Sequence, residues 1–239
     1  MPETDLRAFR LTLLGMFRLT GLQGDVRLPG SVQRVVAFLA LRGGSGRSRL
    51  AGAFWPDQGE GQALSNLRTA VWRANRALPG LVLTEPRALW LSPEVQVDAQ
   101  RMTALAHATL SGAGPSRDPI ELLGLDGELL PDWEDEWLVV DRERLLQLRL
   151  HVLEALAEQL AVQGAYGLAM EAAIAARRGD ELRESAHRAV IKVHVAEGNA
   201  GLAEQAYQRC LAVLGRELGM RPSAETSALV AAARRSVVN

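Results

Sequence analysis

The sequence predicts a mainly α chain in two parts: a mixed amino-terminal domain in which small β-hairpins flank three helices, and an all-α carboxy-terminal domain of repeated helix pairs. Three observations predict it. Strand-like alternation is confined to the first 96 residues. From about Val97 to the end, Ala, Leu, Glu and Arg recur at helical spacing. Finally, a nine-residue motif starting at Gly164 reappears at Gly198, an offset of 34 residues.

Residues 9–28 (FRLTLLGMFRLTGLQGDVRL) alternate loosely and break at Gly-Leu-Gln-Gly-Asp, which predicts a short antiparallel pair. Residues 32–41 (VQRVVAFLAL) are apolar on most faces and run into Gly43-Gly44, a buried helix with a glycine stop. A second short helix covers residues 48–55 and ends at Pro56, and a third covers 59–78 and closes on Pro79-Gly80. Two apolar runs, 81–84 and 88–91, are separated by Glu85-Pro86-Arg87 and form a small hairpin. The order is strands, three helices, hairpin. Beyond it, residues 110–119 (LSGAGPSRDP) read as a loop, and the acidic 132–136 (DWEDE), with Trp133 and Trp137, opens a long helix to about Gln163. The boundary therefore falls between residues 96 and 97.

In the second part GAYGLAMEA from Gly164 aligns with GNAGLAEQA from Gly198, identical at five of nine positions. An offset of 34 is the tetratricopeptide period. Each unit is a helix pair in which Gly167, Ala169, Gly201 and Ala203 are expected to let neighbouring helices approach, and such pairs stack into solenoids that dock partners.

Composition narrows the function. The chain has 239 residues and a net charge of −1, but residues 1–87 hold 12 Lys and Arg against 6 Asp and Glu, and the remainder holds 15 against 22. A basic module joined to an acidic one suggests that the first binds a polyanion. No apolar run approaches the roughly 20 residues that span a bilayer. The start, MPETDLRAFR, lacks a signal-peptide core, so a cytoplasmic, nucleoid-associated protein without membrane contact is expected. The single Cys210 has no partner for a disulfide or a Cys-based zinc site and is expected to pack.

The third helix has the pattern of a DNA reader. At 100° per residue, Leu64, Leu67, Val71, Ala74 and Leu78 form one stripe. Gln62, Ser65, Thr69, Trp72, Arg73 and Arg76 lie opposite, with Arg68 at the margin and no acid among them. Base edges are read by hydrogen bonds and phosphates by charge, and this face supplies both. Glu60 sits where the helix dipole favours a carboxylate. Helix pair, third helix and hairpin make a winged helix-turn-helix, whose last helix enters the major groove and whose wing carries Arg87 at its tip. Arg34, Arg47 and Arg49, near helix starts, are candidate phosphate clamps.

Several stretches resemble the Streptomyces antibiotic regulatory protein family, which joins an OmpR-like winged helix to a bacterial transcriptional activator domain. They are Gln33-Arg34, residues 50–57 (LAGAFWPD), residues 63–78, Val97-Asp98, residues 182–199 (LRESAHRAVIKVHVAEGN) and residues 217–226 (ELGMRPSAET). The resemblance implies an activator that binds direct repeats in double-stranded promoter DNA, side by side as a homodimer on the DNA, and recruits RNA polymerase through its sigma factor. By position it places Ser65, Asn66, Thr69, Arg73 and Arg76 on the recognition helix and Arg87 on the wing. The chain departs from the family pattern at Val32, where a lysine is usual, and at Ala74-Asn75, where a Leu-Arg pair is usual. Losing two cations is expected to weaken phosphate anchoring. The ATPase and sensor domains of larger relatives and a preceding receiver domain are not expected.

No enzyme pattern emerges, and no cofactor or metal is expected. Residues 43–47 (GGSGR) lack the lysine of a phosphate-binding loop, no Gly-x-Ser-x-Gly elbow occurs, and His107, His151, His187 and His194 lack metal-ligand spacing. His187 and His194, seven apart, read as a packed or solvated pair. A rival reading is a tetratricopeptide-type adaptor whose winged helix no longer binds DNA.

Overall fold

A computed structural model describes residues 9–111, 119–124 and 127–238. Most of the 110–119 loop and the first eight residues lie outside these. The elements are β1 (Phe9–Thr12), β2 (Arg18–Gly21), β3 (Gly24–Asp25), α1 (Gly30–Arg42), α2 (Arg47–Phe54), α3 (Glu60–Ala77), β4 (Val82–Thr84), β5 (Leu89–Leu91) and β6 (Val95–Val97). Then come α4 (Asp98–Leu110), α5 (Pro119–Gly124), α6 (Glu136–Val162), α7 (Tyr166–Gly179), α8 (Glu184–Ala196), α9 (Ala200–Leu218) and α10 (Ala224–Val238). The fold is mainly α with small amino-terminal sheets, as the sequence predicts. Among the described residues no helix is long and apolar enough to cross a membrane.

Two compact units emerge, and they do not follow a single cut at residue 96. The first comprises residues 1–103 with 126–145, the second residues 104–125 with 146–239. The helix α6 contributes its first turns to one unit and the rest to the other.

In the first unit the sheet order is β3-β2-β1-β6. β1 pairs antiparallel with β2, Leu11 facing Leu19, and both leucines are buried because alternation sends them to one face. The expected Gly-Leu-Gln-Gly-Asp turn joins β2 to β3. The strand β6 was not foreseen. It lies parallel to β1, with Phe9 opposite Val95 and Leu11 opposite Val97, and buries both valines. Three residues carry too little periodicity to announce a strand whose partner is distant in sequence. Past β6 the chain continues to Asp98, which accepts the N–H groups of Leu13 and Leu14 at 2.9–3.0 Å and that of Ala99 at 2.7 Å. Burial pushes the Asp98 carboxyl up even so, against the pull of those N–H donors.

The helix α1 buries Val32, Val35, Val36, Phe38 and Leu39, and stops at Gly43, whose N–H donates to Leu39 O at 3.0 Å. Phe38 is 1 % exposed. Its ring meets Phe54 edge-on at 5.5 Å and Trp137 at 5.2 Å. Arg42, stacked over Phe38 at 4.9 Å, donates to Asp141 at 2.9 Å. Trp133 stacks on Phe17. The DWEDE segment therefore does more than open a helix: α6 starts at Glu136, and the residues around it complete the first unit's aromatic layer.

In the second unit α7 packs on α8, α8 on α9, and α9 and α8 on α10. Ile191, Ala203 and Val230 form a buried cluster with Tyr207 and Leu229 against it. The repeat is real in three dimensions: Gly164 (φ +77°) and Gly198 (φ +83°) each occupy a left-handed turn two residues before α7 and α9 respectively. Close approach falls to the alanines. Ala169 and Ala203 are fully buried, whereas Gly167 and Gly201 are exposed and face open space, which corrects the expectation for the two glycines.

Candidate nucleic-acid interface

The helix α3 packs on α1 and α2 and buries Ala63, Leu67, Ala70 and Ala74. The expected stripe is thus rotated: Leu64 and Val71 are only half-buried, because the small alanines are what allow α3 to lie close to its neighbours. The opposite face is exposed. Trp72 is 58 % exposed, and the Arg76 guanidinium sits 5.2 Å from its ring centroid, a cation–π arrangement that holds both side chains. Arg68 and Arg73 are exposed and have no partner among the described residues.

The polar members of the face are already linked to one another. Gln62 donates to Asn66 Oδ1 at 3.1 Å, Asn66 donates to Gln58 at 2.6 Å, and the Thr69 hydroxyl donates to the Ser65 carbonyl at 3.1 Å. Ser65 and Asn66 are half-buried, while Gln62 and Thr69 are open to solvent.

The hairpin β4–β5 pairs Val82 with Leu91, Leu83 with Trp90 and Thr84 with Leu89. Its attachment to α3 comes from a residue that sequence reasoning treated as a lost cation. The Asn75 amide donates to Val82 O at 2.9 Å and its carbonyl accepts the Val82 N–H at 2.8 Å, a two-point clamp on the wing. Val32, the other missing cation, is fully buried. In this chain neither position offers a charge to solvent: Val32 packs in the core and Asn75 holds the wing.

A second clamp joins the α1–α2 connection to β5, where Ser45 and Leu89 exchange backbone hydrogen bonds at 3.0 and 2.9 Å. Gly44 lies directly beneath Trp90. A Cβ there would meet the indole at 2.3 Å, so the ring must leave. Trp90 also donates to Glu85 at 3.1 Å across the hairpin. Gly44→Ala is expected to displace Trp90 and lower the melting stability of the first unit by about 1–3 kcal/mol, the usual cost of overpacking; an unchanged Trp fluorescence maximum and midpoint would contradict it. Gly44, Asn75 and Trp90 went unnoticed in the sequence because their partners come from other elements.

The remaining arginine candidates differ. Arg87 is exposed at the hairpin tip and Arg49 is exposed on α2, both without partners among the described residues. Arg47, at the start of α2, donates to Pro86 O at 3.0 Å and so stands beside the wing turn. Arg34 is already engaged within the protein. Its Nε donates to both Asp135 oxygens at 2.8 and 3.0 Å and its guanidinium lies 5.3 Å from the Trp133 ring centroid, so it fastens the 126–145 segment.

In the second unit the two sequence-specific stretches meet. Glu184 Oε1 accepts the Ser223 N–H at 2.9 Å and the hydroxyls of Ser223 and Thr226 at 2.5 Å, and Arg188 reaches Glu225 at 3.3 Å. This latch fixes the start of α10 on α8. Burial alone would raise the Glu184 carboxyl, but the three hydrogen bonds and Arg188 together hold it below its ordinary value. His187 is buried with Nε2 2.8 Å from Glu181 O, and burial pulls the half-buried His194 down. Cys210 is fully buried, which pushes its thiol up to about 11 and makes it a packing residue. Among the described residues no group of three or more His, Cys, Asp or Glu could hold a metal ion.

Comparison with known proteins places this geometry. Residues 122–234 match the family model described as the bacterial transcriptional activator domain. The chain is 27 % identical, over 234 residues and 92 % of its length, to the regulatory protein AfsR of Streptomyces coelicolor, of which it spans 24 %. Its fold is similar to that of EmbR from Mycobacterium tuberculosis, solved in complex with a low-affinity phosphopeptide. The TM-score is 0.78 at 22 % identity, over 96 % of this chain and 65 % of that one. The chain thus spans about a quarter of the curated relative and about two thirds of the solved one.

Proposed function

We propose, from the match of residues 122–234 to the bacterial transcriptional activator domain and the similarity to AfsR, that this chain is a sequence-specific DNA-binding transcription regulator of the Streptomyces antibiotic regulatory protein type. The observation that carries the reading is the exposed face of α3, where Arg68, Arg73 and Arg76 project without a single acid while the hairpin clamped alongside presents Arg87. In this reading α3 enters the major groove. Arg73 and the Gln62, Ser65, Asn66 and Thr69 group face base edges; Arg47, Arg49, Arg68, Arg76 and Arg87 neutralise phosphates; and Trp72 covers sugar or a thymine methyl. Residues 1–96 form the DNA-binding portion. Residues 97–239 take protein contacts: RNA polymerase and its sigma factor in an activator, and a second copy on adjacent direct repeats.

The measurement is a genome-wide capture of duplex DNA by the purified protein, then titration of the best site at two salt concentrations. Arg73→Ala is expected to lose about 1–3 kcal/mol of binding at that site, and affinity is expected to fall as salt rises. Absence of any enriched motif, or binding indifferent to both salt and Arg73, leaves the adaptor reading, which the exposed Trp72 alone would favour.

A further inference from the structure

The rotation of α3 leaves a hollow of about 460 Å³ between that helix and the wing. Its walls are Leu64, Leu67 and Val71 from α3 and Leu89 from β5, with the Trp72 indole on one side. These side chains are the expected core stripe, yet the chain's own residues do not fill the space beside Leu64 and Val71. At the mouth stand two cations: Arg68, unpartnered among the described residues, and Arg47, whose contact is the uncharged Pro86 carbonyl. No carboxylate lines it.

We infer that this hollow between α3 and the wing is a binding site for a small amphipathic anion, one carboxylate, sulfonate or phosphate on an apolar ring or short chain. The size is that of small-ligand pockets, and an apolar wall with a few convergent polar groups is their usual lining. The apolar body covers Leu64, Val71 and Leu89 and stacks on Trp72; the anionic group meets Arg68 and Arg47, whose planar donors fit an oxyanion. A cation or a neutral polar molecule gains neither contact. The site itself does not require that the chain bind DNA. Its consequence does rest on that reading: Arg68 and Trp72 cannot serve the ligand and the duplex at once, so ligand and DNA exclude each other, which would make an apolar anion an effector of the regulator.

The test uses the full chain and two probes of the same shape, 1-anilinonaphthalene-8-sulfonate and its uncharged parent N-phenyl-1-naphthylamine. The sulfonate is expected to bind saturably at one site, and several-fold more weakly to Trp72→Ala, which removes the ring on which its apolar body stacks. Arg68→Ala is expected to weaken it about tenfold, the size of one charge-assisted hydrogen bond, and the uncharged parent to bind about tenfold more weakly than the sulfonate on the same grounds. Arg68 is exposed, so its loss does not threaten the fold. Leu64→Glu, which sets a carboxylate in the wall, is expected to abolish binding. Equal affinity for both probes, unchanged affinity in Trp72→Ala, or no saturable binding overturns the inference. Adding captured duplex DNA then separates the two readings: displacement of the probe supports both, whereas probe binding by a chain that retains no DNA sinks the proposed function and leaves the ligand site standing.

Discussion

Phe38→Ala is expected to destabilise the first unit by about 3–5 kcal/mol, the cost of emptying a fully buried aromatic site. Phe38 is where three elements meet: α1 supplies it, α2 supplies Phe54, and the start of α6 supplies Trp137. The contact with Trp137 has a consequence for how the domain can be isolated. A fragment of residues 1–103 keeps β1 to β6, α1 to α3 and the Asp98 contacts to Leu13 and Leu14, but loses Trp137, Asp141 and Asp135, leaving Phe38 without its Trp137 cover and the Arg42 and Arg34 guanidinium groups without their carboxylates. A fragment of residues 1–145 retains all of them. Urea titration of the two fragments, each with and without Phe38→Ala, should show the longer one more stable and more sensitive to the substitution. Coincident midpoints would mean that the 126–145 segment adds nothing to the first unit.

Glu184→Ala is expected to destabilise the second unit by about 2–4 kcal/mol. Removing one partner of a buried ion pair costs about 3–5 kcal/mol, and partial exposure of this carboxylate reduces that. Thr226 is fully buried and loses its acceptor, while Arg188 keeps Glu225 and the Thr226 hydroxyl beside it. The same carboxylate sets a pH dependence. Its value in the folded chain lies below the ordinary 4.5, so the folded state binds fewer protons than the unfolded one as pH falls through that region. The stabilisation is fully present above pH 4.5 and is lost as the pH drops through the lowered value. The difference in stability between the wild type and Glu184→Ala should therefore be constant near neutrality and shrink on acidification below 4.5. A difference that stays constant down to pH 3 would show that the latch does not lower the Glu184 carboxyl.

The two expected results trace to different kinds of information. Glu184 and Thr226 lie in the very stretches, 182–199 and 217–226, that carry the family resemblance, and the structure supplies the reason they occur together: one accepts from the other across α8 and α10. Phe38 reads as core from its helix alone, but nothing in the spacing of residues 32–41 announces that Trp137 will cover it.

By itself the sequence determined what is local: three helices with their glycine and proline stops, the hairpin tip at Arg87, the acid-free face of α3, and the 34-residue repeat that starts α7 and α9. Period, turn chemistry and charge act within a few residues, so they survive reading in one dimension. Only the tertiary structure decided the parallel pairing of β6 with β1, the return of residues 126–145 to the first unit, the engagement of Arg34 by Asp135, and the conversion of Asn75 from a missing cation into the clamp of the wing. Each of these joins groups from separate elements. A guanidinium or an amide is defined by the partner that satisfies it, and for a distant partner the fold alone decides which one comes within reach.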